Sequence, residues 1–227
     1  ADIQTPDFAA AYRVTGPDRP GSEGKTIQEY CSQPTTSPFP SPPTSLRLPV
    51  KETPAITWEP PSAWVNGDDF GADPSGNADS SAAIQKAMDS GTSTVFLPGS
   101  YRLLKTVTIP GSVKRVVGLG GMVNYGIGLK PDFRLAGASQ EPFHLEHFAA
   151  IHGGLEVNTP RQVVLRSVSD CPLTFTANAV GNDIFLEDVV TQDLRVKGQR
   201  LWARPLNIEN EGTPLSNVGG AGGILGY

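Results

Sequence analysis

The chain has 227 residues, enough for one large domain or one domain with an extension. Apolar residues make up 38%, so a packed core is possible, while charged residues reach only 18%, under the roughly 25% usual for soluble domains. The net charge is −5 with no basic run, which excludes the electrostatic footprint of a nucleic-acid binder, and no run of about 18 apolar residues is present to span a membrane.

Residues 1–64 hold 12 of the 21 prolines. The run Pro38-Phe39-Pro40-Ser41-Pro42-Pro43 cannot form a helix or a central strand, because proline lacks the N–H and fixes φ, so it reads as extended polyproline-like chain. Leu46, Leu48, Val50, Ile56, Trp58 and Trp64 are too apolar for a free linker. The segment therefore reads as an arm laid across a folded body with the Trp rings as anchors, or as the remnant of an upstream domain. Residues 65–227 form the body. Cys31 and Cys171 pair if the arm folds back, and otherwise are two buried thiols; their spacing fits no metal site.

The body begins with a short strand at Trp64-Val65 and turns punctuated by Gly67, Gly71, Pro74 and Gly76. A helix is predicted from Asp79 to Gly91: Asp79 is a suitable N-cap, Ala83, Ile84, Ala87 and Met88 share one face, and Gly91 is a natural stop. Strands are predicted at Thr94–Leu97, Tyr101–Leu103, Thr106–Ile109 and Val113–Gly118. Pro142 and the aromatics around His144 and His147 suggest a loop packed on the body. Further on, Val163–Val168 resembles Ile184–Val189, 21 residues later; Leu201–Leu206 follows after 17, and Ile224–Tyr227 after 23. One short strand set per turn of about 20 residues is what a solenoid rung requires, since a rung alone cannot bury its apolar face.

The stretches Asp69–Gly91, Ser93–Leu103, Thr106–Pro110 and Val113–Gly120, in that order, resemble the N-terminal part of pectate-lyase-like superfamily β-helices, which include relatives of glycoside hydrolase families 28 and 55 and many phage tailspikes. Ile184–Val190 and Val196–Asn217 resemble a group of uncharacterised bacterial secreted β-helix proteins. The resemblance implies an all-β, right-handed parallel β-helix whose open end is covered by a capping α-helix, with the Pro-rich arm before it. It implies a carbohydrate-related extracellular or cell-surface protein, part of a polysaccharide-degrading glycoside hydrolase or lyase. A non-catalytic glycan-binding, adhesive or assembly module is the alternative, because function lives in sites rather than folds. The chain shows no initiator methionine or signal peptide, and its last residues read as the middle of a rung. A fragment is therefore expected, or an end covered by another chain or domain.

Glycoside hydrolysis needs two carboxylates flanking the bond. The candidates are Glu187 and Asp188 on one rung and Glu209, beside Glu211, in the next region, since adjacent rungs lie about 4.8 Å apart. The competing reading is that these are solvated turn residues. Trp202 and Arg204, two apart on one strand face, suit stacking on a sugar and binding of a uronate, or else Trp202 packs on the exterior of the helix. The hydrolase branch of the family carries a Gly-His-Gly, where this chain has His152-Gly153-Gly154, and the isolated Arg195-Val196-Lys197 does not complete the set. No cofactor or metal is expected, except that Asp183, Asp188 and Asp193 recur in one region and leave calcium open. His144 and His147 share a metal only if helical. The expected partners are a polysaccharide and a chain or domain over the C-terminal end, with neither nucleic acid nor a membrane.

Overall fold

A computed structural model of the chain describes residues 51–124, 131–192, 194–209 and 215–224, and four short strands within the first 50 residues. The chain divides into two compact units, Ala1–Leu48 and Pro49–Tyr227. In the first, β1 (Ile3–Gln4), β2 (Arg13–Gly16), β3 (Arg19–Glu23) and β4 (Thr26–Ile27) form two antiparallel pairs, β1 with β4 and β2 with β3. Cys31 and the run Pro38–Pro43 lie outside the described residues.

The second unit is a right-handed parallel β-helix of about seven turns. Its elements are β5 (Val65–Asn66), β6 (Ser75–Asp79), α1 (Ser81–Met88), β7 (Thr94–Phe96), β8 (Ser100–Arg102), β9 (Val107–Ile109), β10 (Arg115–Val123), β11 (Phe133–Ala136) and β12 (Phe143–Ile151). There follow β13 (Leu155–Asn158), β14 (Val163–Val168), β15 (Leu173–Phe175), β16 (Asp183–Thr191), β17 (Leu194–Lys197), β18 (Arg200–Ala203), β19 (Leu206–Ile208), β20 (Leu215–Val218) and β21 (Ala221–Ile224). A long parallel sheet runs β5-β7-β10-β12-β14-β16-β18-β21, and a second runs β9-β11-β13-β15-β17-β20.

Strand alternation sends every second side chain inward, and parallel register stacks like on like. Val95, Val116, Leu145, Leu165, Leu186 and Ala203 form one interior column, and Val107, Phe133, Leu155, Leu173 and Leu194 form another on the facing sheet. Each fully buried Leu contributes on the order of 1.5–3 kcal/mol. A rung alone would leave this surface wet, so the columns are what make the stack cooperative.

The long strands bend where His147, Ser167 and Asp188 take up left-handed backbone, at φ of 60°, 49° and 55°. These three occupy the same place in successive rungs, between the paired Glu146, Arg166 and Glu187 and the paired Phe148, Val168 and Val189. Leu119 and Gly120 make the corresponding bend in β10. At the opposite corner Arg161, Asn182 and Gln199 are buried, and each side chain donates to carbonyls of the rung before it. Asn182 Nδ2 reaches both Thr159 O at 2.6 Å and Arg161 O at 2.8 Å, replacing ladder bonds that the corner breaks.

Helix α1 covers the first rungs with Ile84, Ala87 and Met88 buried and Ala83 partly buried against the core. The N-cap position falls on Ser80 rather than Asp79. Asp79 instead accepts from the Ser81 N–H at 2.9 Å and from Leu104 N at 3.1 Å, tying the helix start to the strand it covers. The aromatic stretch read as a loop at 142–148 is instead the start of β12, so His144 and His147 do not share a helical face. Gly118-Leu119-Gly120-Gly121 forms the corner within β10. A Cβ on Gly121 would sit 2.2 Å from the Leu97 carbonyl oxygen, which explains the glycine there. The Leu201–Leu206 repeat divides into β18 and β19 around Arg204-Pro205, and Ile224 pairs with Ala203, two residues from the alignment the spacing suggested. Among the described residues no helix is long and apolar enough to cross a membrane.

Candidate functional site

The side chains between the interior columns point outward, and on the long sheet many of them are nevertheless buried. Arg115, His144, Val164, Phe185 and Trp202 form one outward column, and Val117, Glu146, Arg166 and Glu187 form the next. Arg115, His144 and Glu146 are 1%, 0% and 0% exposed. Residues 51–64 cross these rungs, with Trp58 over Arg115 and Thr53 on Glu187.

Contacts place this covering segment from its first residue to its last. Lys51 Nζ donates to Asp183 Oδ2 at 2.6 Å and lies 6.0 Å from the centre of the Phe185 ring. Thr53 Oγ1 donates to Glu187 Oε1. Arg204 reaches Glu52 Oε2 at 3.3 Å and the Lys51 carbonyl at 2.5 Å. Trp58 lies over the Arg115 guanidinium at 3.7 Å, and Trp64 packs edge-on to Phe96 at 5.8 Å. Glu59 accepts from Ser93 Oγ at 2.5 Å and Thr94 Oγ1 at 3.1 Å, and these hydroxyls hold its carboxyl below the usual range.

Beneath the segment runs a ladder of charge. Glu146 Oε2 is 3.3 Å from Arg115 Nε, and its Oε1 is 3.4 Å from Arg166 Nη1 and 3.5 Å from His144 Nδ1. Arg166 Nε in turn donates to Glu187 Oε2 at 2.8 Å. Burial pushes the Glu146 carboxyl up, but His144, Arg115 and Arg166 outweigh it and the carboxyl stays ionised. The same balance holds Glu187 below its ordinary value, with Thr53 and Arg166 overcoming burial. Asp183 accepts from Arg200 at 2.8 and 3.0 Å, from Trp202 Nε1 at 3.0 Å and from Lys51; with Arg200 first among them, these donors drive its carboxyl far down.

The structure thus places the sequence candidates in different settings. Glu187 is part of the covered ladder. Asp188, next to it, stands exposed at the left-handed corner and accepts from Ser167 Oγ at 3.0 Å. Glu209 is exposed after β19 and accepts from Asn207 Nδ2 at 2.7 Å. Trp202 and Arg204 are half-buried, the first bonded to Asp183 and the second to the covering segment. Asp193 and Glu211 lie outside the described residues. Among the described residues no three His, Cys, Asp or Glu gather as a metal site.

A second polar cluster sits at another corner. Asp132, with no exposed surface, accepts from Asn124 Nδ2 and from Gly153 N at 2.7 Å, and burial raises its carboxyl to about 6. His152, from the His152-Gly153-Gly154 stretch, has Nδ1 2.5 Å from Asp170 Oδ2. Cys171 is a buried free thiol, pushed up by burial. Sequence reasoning missed Arg115, Glu146 and Arg166; aligning the rungs by their interior columns brings out their common outward register.

No family model matches the chain, and no curated protein matches it. A solved structure described as "Geobacillus virus E2 - ORF18" is similar at a TM-score of 0.39 and 16% identity. The likeness covers 66% of this chain, which spans 40% of the length of that protein.

Proposed function

We propose that residues 49–227 are a non-catalytic β-helix module of an extracellular or cell-surface protein, with a structural, adhesive or assembly role. The observation that carries this reading is that Glu187, Trp202 and Arg204, three of the candidates for sugar chemistry, are tied directly or through Asp183 to the covering segment. Glu187 is bonded to Thr53 and Arg166, and Arg204 to Glu52 and the Lys51 carbonyl. Trp202 is bonded to Asp183, which itself anchors Lys51. A glycosidase needs an acid that still carries its proton near neutral pH. Glu187 and Asp183 are shifted the other way, and Asp132, which is shifted up, has no exposed surface. Membership of the pectate-lyase-like superfamily belongs to the same proposal, supported by the order of α1 and the first rungs. Placement outside the cell rests on that resemblance alone.

A second reading, glycan binding without turnover, is favoured by one feature. An open notch of about 400 Å³ lies on the corner ridge, lined by Leu119, Gly120, His147, Phe148, Ala149 and Ser167, with Leu119 60% exposed. The test is incubation of the full chain with a panel of acidic and neutral polysaccharides, following new reducing ends and unsaturated products. No turnover is expected on any of them; sustained product formation would sink the proposal. Retention on one immobilised glycan, lost in Leu119→Asp, would select the second reading.

A further inference from the structure

Residues 51–59 differ from every rung beneath them in how they are held. No backbone–backbone hydrogen bond joins them to a described strand. They are fixed by side chains alone at one partner or both: the Lys51, Glu52 and Thr53 contacts, Arg204 on the Lys51 carbonyl, Trp58 on Arg115, and Glu59 on Ser93 and Thr94. The seal is also imperfect. Both ring nitrogens of His144, Nε and Nη2 of Arg115 and Oε2 of Glu146 are buried without a hydrogen-bond partner, although Arg115 and Glu146 attract one another as ions. Buried polar atoms left in this state favour an alternative in which they are wetted or bonded. Segments with few backbone bonds open well below the free energy of global unfolding.

The segment also looks like a ligand for the face it covers. Glu52 meets Arg204, Glu59 lies in the field of Lys114 and Arg115, and Trp58 stacks on the Arg115 guanidinium between them. Two carboxylates and one aromatic ring meet cations and hydroxyls, while Lys51 and Thr53 at the other end of the same extended, Pro-containing stretch meet the carboxylates of Asp183 and Glu187. This is recognition of an extended peptide across the rungs.

We propose that residues 51–59 are a displaceable strap, and that the outward face of the long sheet beneath it, from β7 to Arg204, is a docking surface for an extended peptide of mixed charge carrying a Trp. The strap occupies that surface as a tethered ligand, at the high effective concentration that a short tether confers. The inference goes beyond the module's proposed role and does not depend on it.

Thiol labelling of the full chain tests both halves. Cys31→Ser is the background, Cys171 reports the interior, and Val164→Cys adds a thiol on the outward face, where Val164 has no exposed surface. Opening of the strap exposes the second thiol and leaves the first buried. The expected result is labelling at Val164→Cys at least about tenfold faster than at Cys171, since a difference of 1.4 kcal/mol in opening free energy is tenfold in population. Lys51→Ala with Trp58→Ala should accelerate it further, and a synthetic peptide of residues 51–64 added to that variant should slow it again. Equal labelling of the two thiols overturns the strap. Fast labelling that the peptide does not slow overturns the docking surface. Phe185→Cys, in the same outward column, replaces Val164→Cys if that variant does not fold.

Discussion

The two sides of the long sheet are made by the same strands and are held in different ways. Inside, Val116, Leu145, Leu165 and Leu186 stack on one another, and the corner groups Asn182 and Gln199 donate to carbonyls of neighbouring rungs. Outside, charged and aromatic side chains are buried under a strap that contributes side-chain bonds, and several polar atoms there lack partners. The inner face needs only the next rung to complete it. The outer face is complete only while the strap is in place, so the same degree of burial has different permanence on the two sides.

The largest effects should come from removing a charge beneath the strap. Glu146→Ala leaves Arg115 and Arg166 without their shared buried anion and should lower unfolding free energy by about 3–5 kcal/mol in urea titration. Loss of less than about 1 kcal/mol would mean the strap yields readily enough for water to replace the carboxylate.

In the interior, Leu165→Ala should cost about 2–5 kcal/mol, by lost transfer and the cavity left between Leu145 and Leu186. Val164→Ala, one residue away on the covered side, should cost clearly less. Equal costs would erase the contrast between the faces. Trp58→Ala should reduce global stability by only about 0.5–2 kcal/mol, because Trp58 is 49% exposed and its stacking on Arg115 is local.

Acid titration separates the faces by sign. Asp183 on the outer side has its folded pKa depressed by Arg200, Lys51 and Trp202, so its stabilisation is present above the unfolded value near 3.8 and is lost as pH falls through the folded value. The stability gap between the parent and Asp183→Asn should therefore close below about pH 4. Asp132 in its corner is raised from 3.8 to about 6, so its stabilisation is present below 3.8 and is lost as pH rises through about 6. This shift corresponds to on the order of 3 kcal/mol. Relative to the parent, Asp132→Asn should gain stability as pH rises from about 4 to 6. Thermal melts from about pH 2 to about pH 7 give both curves, and parallel pH profiles for the two variants would contradict the assignment.

Much of the fold was legible because a solenoid repeats its signal. The step from Val163 to Ile184 and on to Leu201 is the register the strands adopt, and the apolar face Ile84, Ala87 and Met88 is the one α1 buries. The rung at β12 was hidden by Pro142 and by polar residues at His144, Glu146 and His147, which depart from the apolar pattern of a buried strand. They do so because the strap shields two of them and the third turns the corner. The candidate site was less legible for a related reason. Glu187 and Trp202 read as exposed chemistry on any strand with one solvated face. Only the path of residues 51–64, set by contacts more than 100 residues away in sequence, shows that they are engaged.

The most direct measurement is a paired one on Glu187→Gln in the full chain: its unfolding midpoint beside its activity toward a polysaccharide panel. The expected result is a loss of about 1–2 kcal/mol in stability, from weakened bonding to Arg166 and Thr53, with no turnover by parent or variant. A parent chain that cleaves a glycan, and a variant that melts with it yet no longer cleaves, would show Glu187 to be a catalytic group and not an anchor.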